Sequence, residues 1–385
     1  MGEIVMLLIS VLILIYAMFF CDFLGGKVGV KTEIAQGFNV NLEILRGLAA
    51  FSVFLAHTTM YFGYLAPRYI VSTYAGSFGV NVFFMLTAYL FWNQVINNRI
   101  NFNKFFIKRF YRLVPIVITV VSVVTLIDFI TSHDRNLNIL RVSAIIKNYM
   151  FGFGGVNDVF STDMYLRINT IWTLKWEWLF YLTLPVLAIW PRKITLLIAL
   201  IAAIFTFSDI SKISSGDSDA VLFLAFFLGA ISLYIECFIK RYSSVILSMI
   251  ILLISIAFMA ALFAKGYEGS VHYKSILCTL SAYFSFLFFL TCPFSLPTKI
   301  TKSLQLLGKV SYSFYLWHLS VNFYGILLLK KYVVKNESVF FSNPYYYLFF
   351  GLAMITISLT ISFLSYRYIE DYFLQKSHSS QLRNE

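Results

Sequence analysis

Eleven apolar runs, of the length that crosses about 30 Å of hydrocarbon as a helix, organise this chain. They fall at about 4–21, 46–64, 78–96, 113–132, 171–190, 194–209, 220–239, 243–264, 275–292, 311–330 and 344–366, with 194–209 the shortest. A bilayer offers backbone groups no water, so such runs must close their hydrogen bonds internally, as helices. The expected fold is all-α: a polytopic integral membrane helix bundle of about eleven transmembrane helices. Composition agrees, with 59% hydrophobic and 12% charged residues, against about a quarter charged in soluble domains.

The formal charge of +12 lies mainly in short loops between the apolar runs. It therefore reads as topology signal, and no nucleic-acid partner is expected. With the N-terminus outside, 18 of the 30 Lys and Arg residues fall on the inside, 11 outside and Lys175 within a helix. This favours an outside N-terminus and a cytoplasmic C-terminus. The first ten residues hold no Lys or Arg and position 6 is Met, so neither a cleaved signal nor a myristoylation pattern is expected. Cys21, Cys237, Cys278 and Cys292 form no CxxC pair or zinc-spaced cluster; they read as buried free thiols, and no metal is expected.

The chain divides into an added N-terminal helix and linker over 1–40, one bundle over 41–375 and a polar tail over 376–385, expected to be disordered and cytoplasmic. Two connections stand out. Residues 133–170, containing "MFGFGGVND", suit an ordered outer cap or re-entrant turn. Residues 97–112 are basic and aromatic, and lead to Pro115, suited to the first turn of a helix.

Ionisable side chains inside apolar runs are costly and mark either satisfied structural groups or sites. In "NLEILRGLAAFSVFLAH", Arg46 and His57 are eleven positions apart, about three helical turns plus 20°, so they share a face with a rise of ~16 Å. Glu177, in "IWTLKWEWLFY", comes to a depth similar to that of His57, where a carboxylate would fix the histidine's tautomer. The plainer alternative pairs Glu177 with Lys175 or Arg167. Lys104, Lys108, Arg109 and Arg112 form a basic group. Arg109 and Arg112 share a helix face and could grip phosphates, or simply mark the inside. His318, in "SYSFYLWHLS", is intramembrane and is either packing or site. Gly76 and Gly79 suit a close helix–helix approach.

In order along the chain, six blocks resemble the membrane-bound acyltransferase 3 family, which includes bacterial O-antigen and other surface-polysaccharide O-acetyltransferases. They are "LRGLAAFSVFLAH", "GSFGVNVFFMLTAYLF", "FFIKRFYRLVP", "IWTLKWEWLFY", "LGKVSYSFYLWH" and "SYRYIE", spanning about Asn41 to Glu370. Thr87-Ala88 stands where the family usually has Ser-Gly, a departure from its pattern.

The resemblance implies a ten-helix core over 41–375 plus the added helix, in the bacterial inner membrane. It implies acetyl-CoA as acyl donor and co-substrate, bound through Lys108, Arg109 and Arg112. The implied acceptor is a sugar hydroxyl of a lipid-linked or surface glycan such as O-antigen lipopolysaccharide, met within membrane lipid. His57, Glu177 and Arg46 are the implied catalytic set, with His57 as general base or as acyl relay and Glu177 orienting it. Trp172, Tyr312 and His318 are assigned to substrate binding. A transporter or flippase of a glycan or acylated intermediate is the alternative; a glycan polymerase fits the ordered blocks less well.

Overall fold

The computed structural model describes residues 2–32, 39–62, 70–189, 220–241, 245–264, 276–293, 296–334, 340–341 and 343–382. Helices α1 (Gly2–Val28), α2 (Val40–Phe62), α3 (Ile70–Ile96) and α4 (Phe102–Thr131) come first. Two short helices follow, α5 (Ile139–Asn148) and α6 (Met164–Ile168), and a 3₁₀ turn leads into α7 (Trp172–Ile189). Then come α8 (Ala220–Arg241), α9 (Val245–Ala264), α10 (Ile276–Thr291), α11 (Thr298–Lys309), α12 (Ser311–Tyr332) and α13 (Pro344–Ser365). A π turn over Tyr366–Glu370 joins α13 to α14 (Asp371–Leu382). Among the described residues, seven helices are long and apolar enough to cross a membrane. The chain is a multi-pass helical membrane bundle. The expected run at 194–209 lies outside the described residues.

Helices α2 and α3 form the centre of the bundle, and sequence explains their closeness. A Cβ on Gly79 would collide with the Ala49 carbonyl oxygen, and one on Gly76 would come within 2.8 Å of Ala56 Cβ. Small residues at these positions let the two backbones touch. On the other side of α2, Gly308 of α11 lies against the Glu43 carbonyl. A continuous apolar core fills the space around α2 and α3, with Phe84, Met85, Phe286 and Leu316 almost fully enclosed. Outward faces stay apolar as well: Phe19, Phe23, Leu126 and Ile130 are all exposed.

Several expectations change. The basic stretch before Pro115 is helical rather than loop: α4 starts at Phe102, capped by the Asn101 side chain, which accepts from Lys104 N at 3.1 Å. Pro115 therefore lies inside a helix, where its ring removes one backbone bond instead of starting the first turn. Cys21 and Cys278 are buried, but Cys237 is exposed and Cys292 partly so, because α8 turns its cysteine away from the bundle. Helix α14 continues through Leu382, so the helix runs through most of the tail read as unstructured.

The long connection after α4 is ordered. Asp128 of α4 accepts from the Phe160 backbone at 3.1 Å and pairs with Arg167 of α6 at 2.5 Å. Ser320 of α12 donates to the Arg167 carbonyl at 2.7 Å, and Tyr61 of α2 donates to the Leu166 carbonyl. Helix α6 is thereby fastened across α2, α4 and α12, at the end of α2 that carries His57.

Candidate active site

Five helices surround a cavity of about 370 Å³, at the opposite end of α2 from α6. Each helix contributes polar groups: Arg46 from α2; Thr87, Asn93 and Gln94 from α3; Arg109 and Arg112 from α4; Thr173, Glu177 and Tyr181 from α7; and Ser311, Tyr312 and Tyr315 from α12. The guanidiniums keep their charge even when enclosed, since arginine is not deprotonated in proteins.

Arg46 pairs one turn back along its own helix with Glu43, at 3.1 Å. Arg109 stacks over the Phe91 ring at 4.7 Å, which holds its plane, and its buried Nε has no hydrogen-bond partner among the described residues. Neither Arg109 nor Arg112 makes an ion pair among the described residues. Three guanidiniums thus face one lining carboxylate, Glu177. Such a lining favours an anion, because Arg presents planar paired donors to phosphate or carboxylate oxygens.

Glu177 accepts from the Tyr181 hydroxyl at 3.0 Å, one turn along α7. It does not meet His57, the partner expected for it. Nor does it pair with Lys175, which lies over the Trp176 ring at 4.8 Å, or with Arg167, which is taken by Asp128. Helix spacing explains the Lys175 result: two positions apart is about 200° around the helix.

His57 meets His318 instead. His57 Nδ1 and His318 Nε2 are 2.7 Å apart, with ring centroids 5.0 Å apart. Phe54 and Phe314 pack on His318. His318 is fully enclosed, while His57 keeps some exposed surface. Tyr315 links this pair to the cavity: it lines the cavity, its ring lies 5.9 Å from that of His318, and its hydroxyl is 3.1 Å from Thr173 Oγ1. Thr173 already donates to the Thr170 carbonyl at 3.1 Å, so Tyr315 is the donor to Thr173.

The structure therefore brings Arg46, Arg109, Arg112, Glu177 and Tyr312 to one cavity and His57 and His318 to one contact. Lys108 does not line the cavity, which α4 meets with Arg109, Arg112 and Leu113. Trp172 packs on the core beside the 3₁₀ turn and is not a lining residue either. Thr87 lies within α3, not in a turn, and lines the cavity. Tyr181 and Tyr315 escaped the sequence reading. Their spacing was the available signal, since Tyr181 is four residues after Glu177 and Tyr315 lies midway between Tyr312 and His318.

A family model described as an acyltransferase domain matches residues 39–363. The chain is 25% identical over 380 residues to a peptidoglycan O-acetyltransferase, OatA, of Listeria monocytogenes, covering 88% of this chain and 56% of that one. It is 27% identical over 384 residues to a putative O-acetyltransferase of Staphylococcus aureus strain COL, covering 86% and 56%. It is also 27% identical over 332 residues to the O-acetyltransferase OatA of Staphylococcus aureus strain NCTC 8325, covering 77% and 52%. The chain spans about half the length of these curated relatives. No solved structure matches.

Proposed function

This chain belongs to the acyltransferase 3 family, and from that premise we propose that it is a membrane O-acetyltransferase taking acetyl from acetyl-CoA to a sugar hydroxyl of a cell-surface polysaccharide. The observation that carries the reading is the arrangement on α2. Arg46 sits in an arginine-lined cavity, and His57 lies on the same helix ~16 Å further along.

The cavity suits the anionic part of a coenzyme-A thioester, with Arg109 and Arg112 as phosphate ligands and Arg46 beside them. At about 370 Å³ it is at the small end of ligand sites, which run about 300–1,000 Å³. It would take part of such a donor, the remainder extending out of it. This end of α2 is the cytoplasmic one in our reading, where a soluble coenzyme-A thioester is available. The His57 end then faces outward, beneath α6.

The chemistry needs a base, because a sugar hydroxyl is a poor nucleophile at neutral pH. His57 takes the hydroxyl proton as the oxygen attacks the thioester carbonyl. The C–S bond breaks as the ester C–O bond forms, and the departing thiolate receives the proton from His57. In the relay form, His57 first attacks the thioester itself, releases the thiol and passes the acyl group to the hydroxyl oxygen. Both forms end with one ester and one free thiol. Glu177 and Tyr181 act at the donor cavity in this reading and not as partners of His57. The Listeria monocytogenes relative is named for peptidoglycan. The acceptor here is drawn from that wider class of surface glycans, O-antigen included.

The test is NMR of base-labile O-acetyl groups on surface glycans from cells with and without this chain, alongside His57→Ala at matched membrane levels. An acetyl signal that needs the parent and disappears in the variant is the expected result. Equal acetylation in the His57→Ala cells would overturn the assignment of His57. Glycan movement by purified protein without release of free thiol from acetyl-CoA would favour transport instead.

A further inference from the structure

The geometry points to His57 Nε2 as the reactive nitrogen and to His318 as the positioning residue that makes it so. The tautomers follow from one fixed acceptor. His318 Nδ1 lies 3.1 Å from the Phe314 carbonyl oxygen, which only accepts, so the proton of neutral His318 is on Nδ1. Its Nε2 then carries a lone pair. That lone pair faces His57 Nδ1 at 2.7 Å, so His57 must donate from Nδ1. One nitrogen remains. His57 Nε2 is left with its lone pair, since the hydrogen bond of His57 among the described residues is made through Nδ1.

Burial assigns the two rings different tasks. His318 is fully enclosed, held by Phe54 and Phe314, and its two nitrogens are both engaged. It has no free edge with which to hold a substrate, the role first assigned to it. His57 keeps exposed surface and one unengaged nitrogen. The chain from the Phe314 carbonyl through His318 to His57 therefore orders the outer ring and presents its lone pair. A buried carboxylate performs the same task for histidine in hydrolytic triads. Here a neutral imidazole does it, so no net charge has to be buried beside His57. This inference rests on the acyl-transfer reading only for the use made of Nε2; the tautomers themselves do not depend on it.

The experiment has two parts on the full chain in lipid bilayers. Nitrogen-15 NMR of histidine-labelled protein near pH 8, with His57→Asn and His318→Asn samples to assign two of the five histidine signals, reads the tautomers directly. Both rings are expected protonated at Nδ1, the less common form of the free side chain, with an N–H···N coupling between them. A His57 ring protonated at Nε2 would overturn the inference. The second part measures thiol release from acetyl-CoA in the presence of glycan acceptor. His318→Leu is expected to lower kcat by about 10²-fold with KM for acetyl-CoA within about twofold. His318→Gln, whose amide oxygen can accept from His57 Nδ1, is expected to restore at least about tenfold of that loss. Full turnover in His318→Leu, with His57→Ala inactive, would remove His318 from the mechanism and leave the acyl-transfer reading standing. If the parent releases no thiol, that reading fails, while the NMR arm still decides the tautomers. The same arm decides if His318→Leu does not fold.

Discussion

Asp128 and Arg167, 39 positions apart, form a buried ion pair of 2.5 Å in which the carboxylate is fully enclosed and the guanidinium nearly so. The Arg167 guanidinium also lies 4.7 Å over the Phe323 ring. The pair ties α6 to α4 and α12 over the end of α2 that carries His57.

Breaking such a pair leaves an uncompensated charge, which costs about 3–5 kcal/mol. Arg167→Met is expected to destabilise the protein by that amount and to expose the 133–170 connection to protease. Asp128→Leu with Arg167→Met is expected to recover most of the loss, since no lone charge remains buried. Unfolding in detergent and limited proteolysis of both variants check this.

The arginine-lined cavity makes a contrast within one helix. Arg109→Gln and Arg112→Gln each remove a lining guanidinium, and a hydrogen bond to a charged group is worth about 1.5–3 kcal/mol. Each is expected to raise KM for acetyl-CoA by roughly ten- to a hundredfold. Lys108→Gln, outside the cavity lining, is expected to stay within about twofold. Steady-state thiol release distinguishes them.

Helix contact predicts opposite outcomes for two glycines. In Gly79→Ala the new Cβ strikes the Ala49 carbonyl, and the backbones of α2 and α3 must part. Such overpacking costs about 1–3 kcal/mol or more. In Gly26→Ala the Cβ meets nothing within 4 Å, and the helix gains the usual advantage of Ala over Gly, up to about 1 kcal/mol. Thermal unfolding in one detergent compares them.

Asp134 shows a pH effect at the surface. Its carboxyl is held below the ordinary range, first by the hydrogen bond from Arg141 at 2.6 Å and then by the Asn136 backbone. A carboxyl depressed in the folded state adds stability above its unfolded pKa, and that contribution disappears as pH falls through the folded value. The Asp134 side chain is largely exposed, so solvent screens the effect. Arg141→Gln is expected to move the Asp134 titration upward, as followed by carboxyl carbon NMR.

The bilayer made much of the fold readable. A fixed hydrocarbon thickness sets helix length, so the apolar runs read from sequence reappear as α1, α2, α3 and most of their successors. Helix α11 was missed for the same reason. It is amphipathic, with Lys299, Lys302 and Lys309 on it, and it settles on α2 through Gly308 without crossing as an apolar span. The face shared by Arg46 and His57 was legible because it lies within one helix. The contact of His57 with His318 joins residues 261 positions apart, and no periodicity within either helix encodes it. Glu177 was misdirected because depth along a helix does not specify direction around it. Equal depth put Glu177 beside His57 on paper, whereas the face of α7 turns it toward Tyr181 and the arginines.

Helix α2 carries the anion-facing arginine and the histidine on one uninterrupted stretch from Val40 to Phe62, and so works as a gauge with an angular as well as a linear scale. Deleting one residue between them shortens the spacing by only ~1.5 Å but swings His57 by ~100°. Its Nδ1 would leave His318 altogether, and a longer donor arm could not compensate. What this helix holds constant is phase more than length, and a helix slipped by one residue no longer keeps Arg46 and His57 on one face.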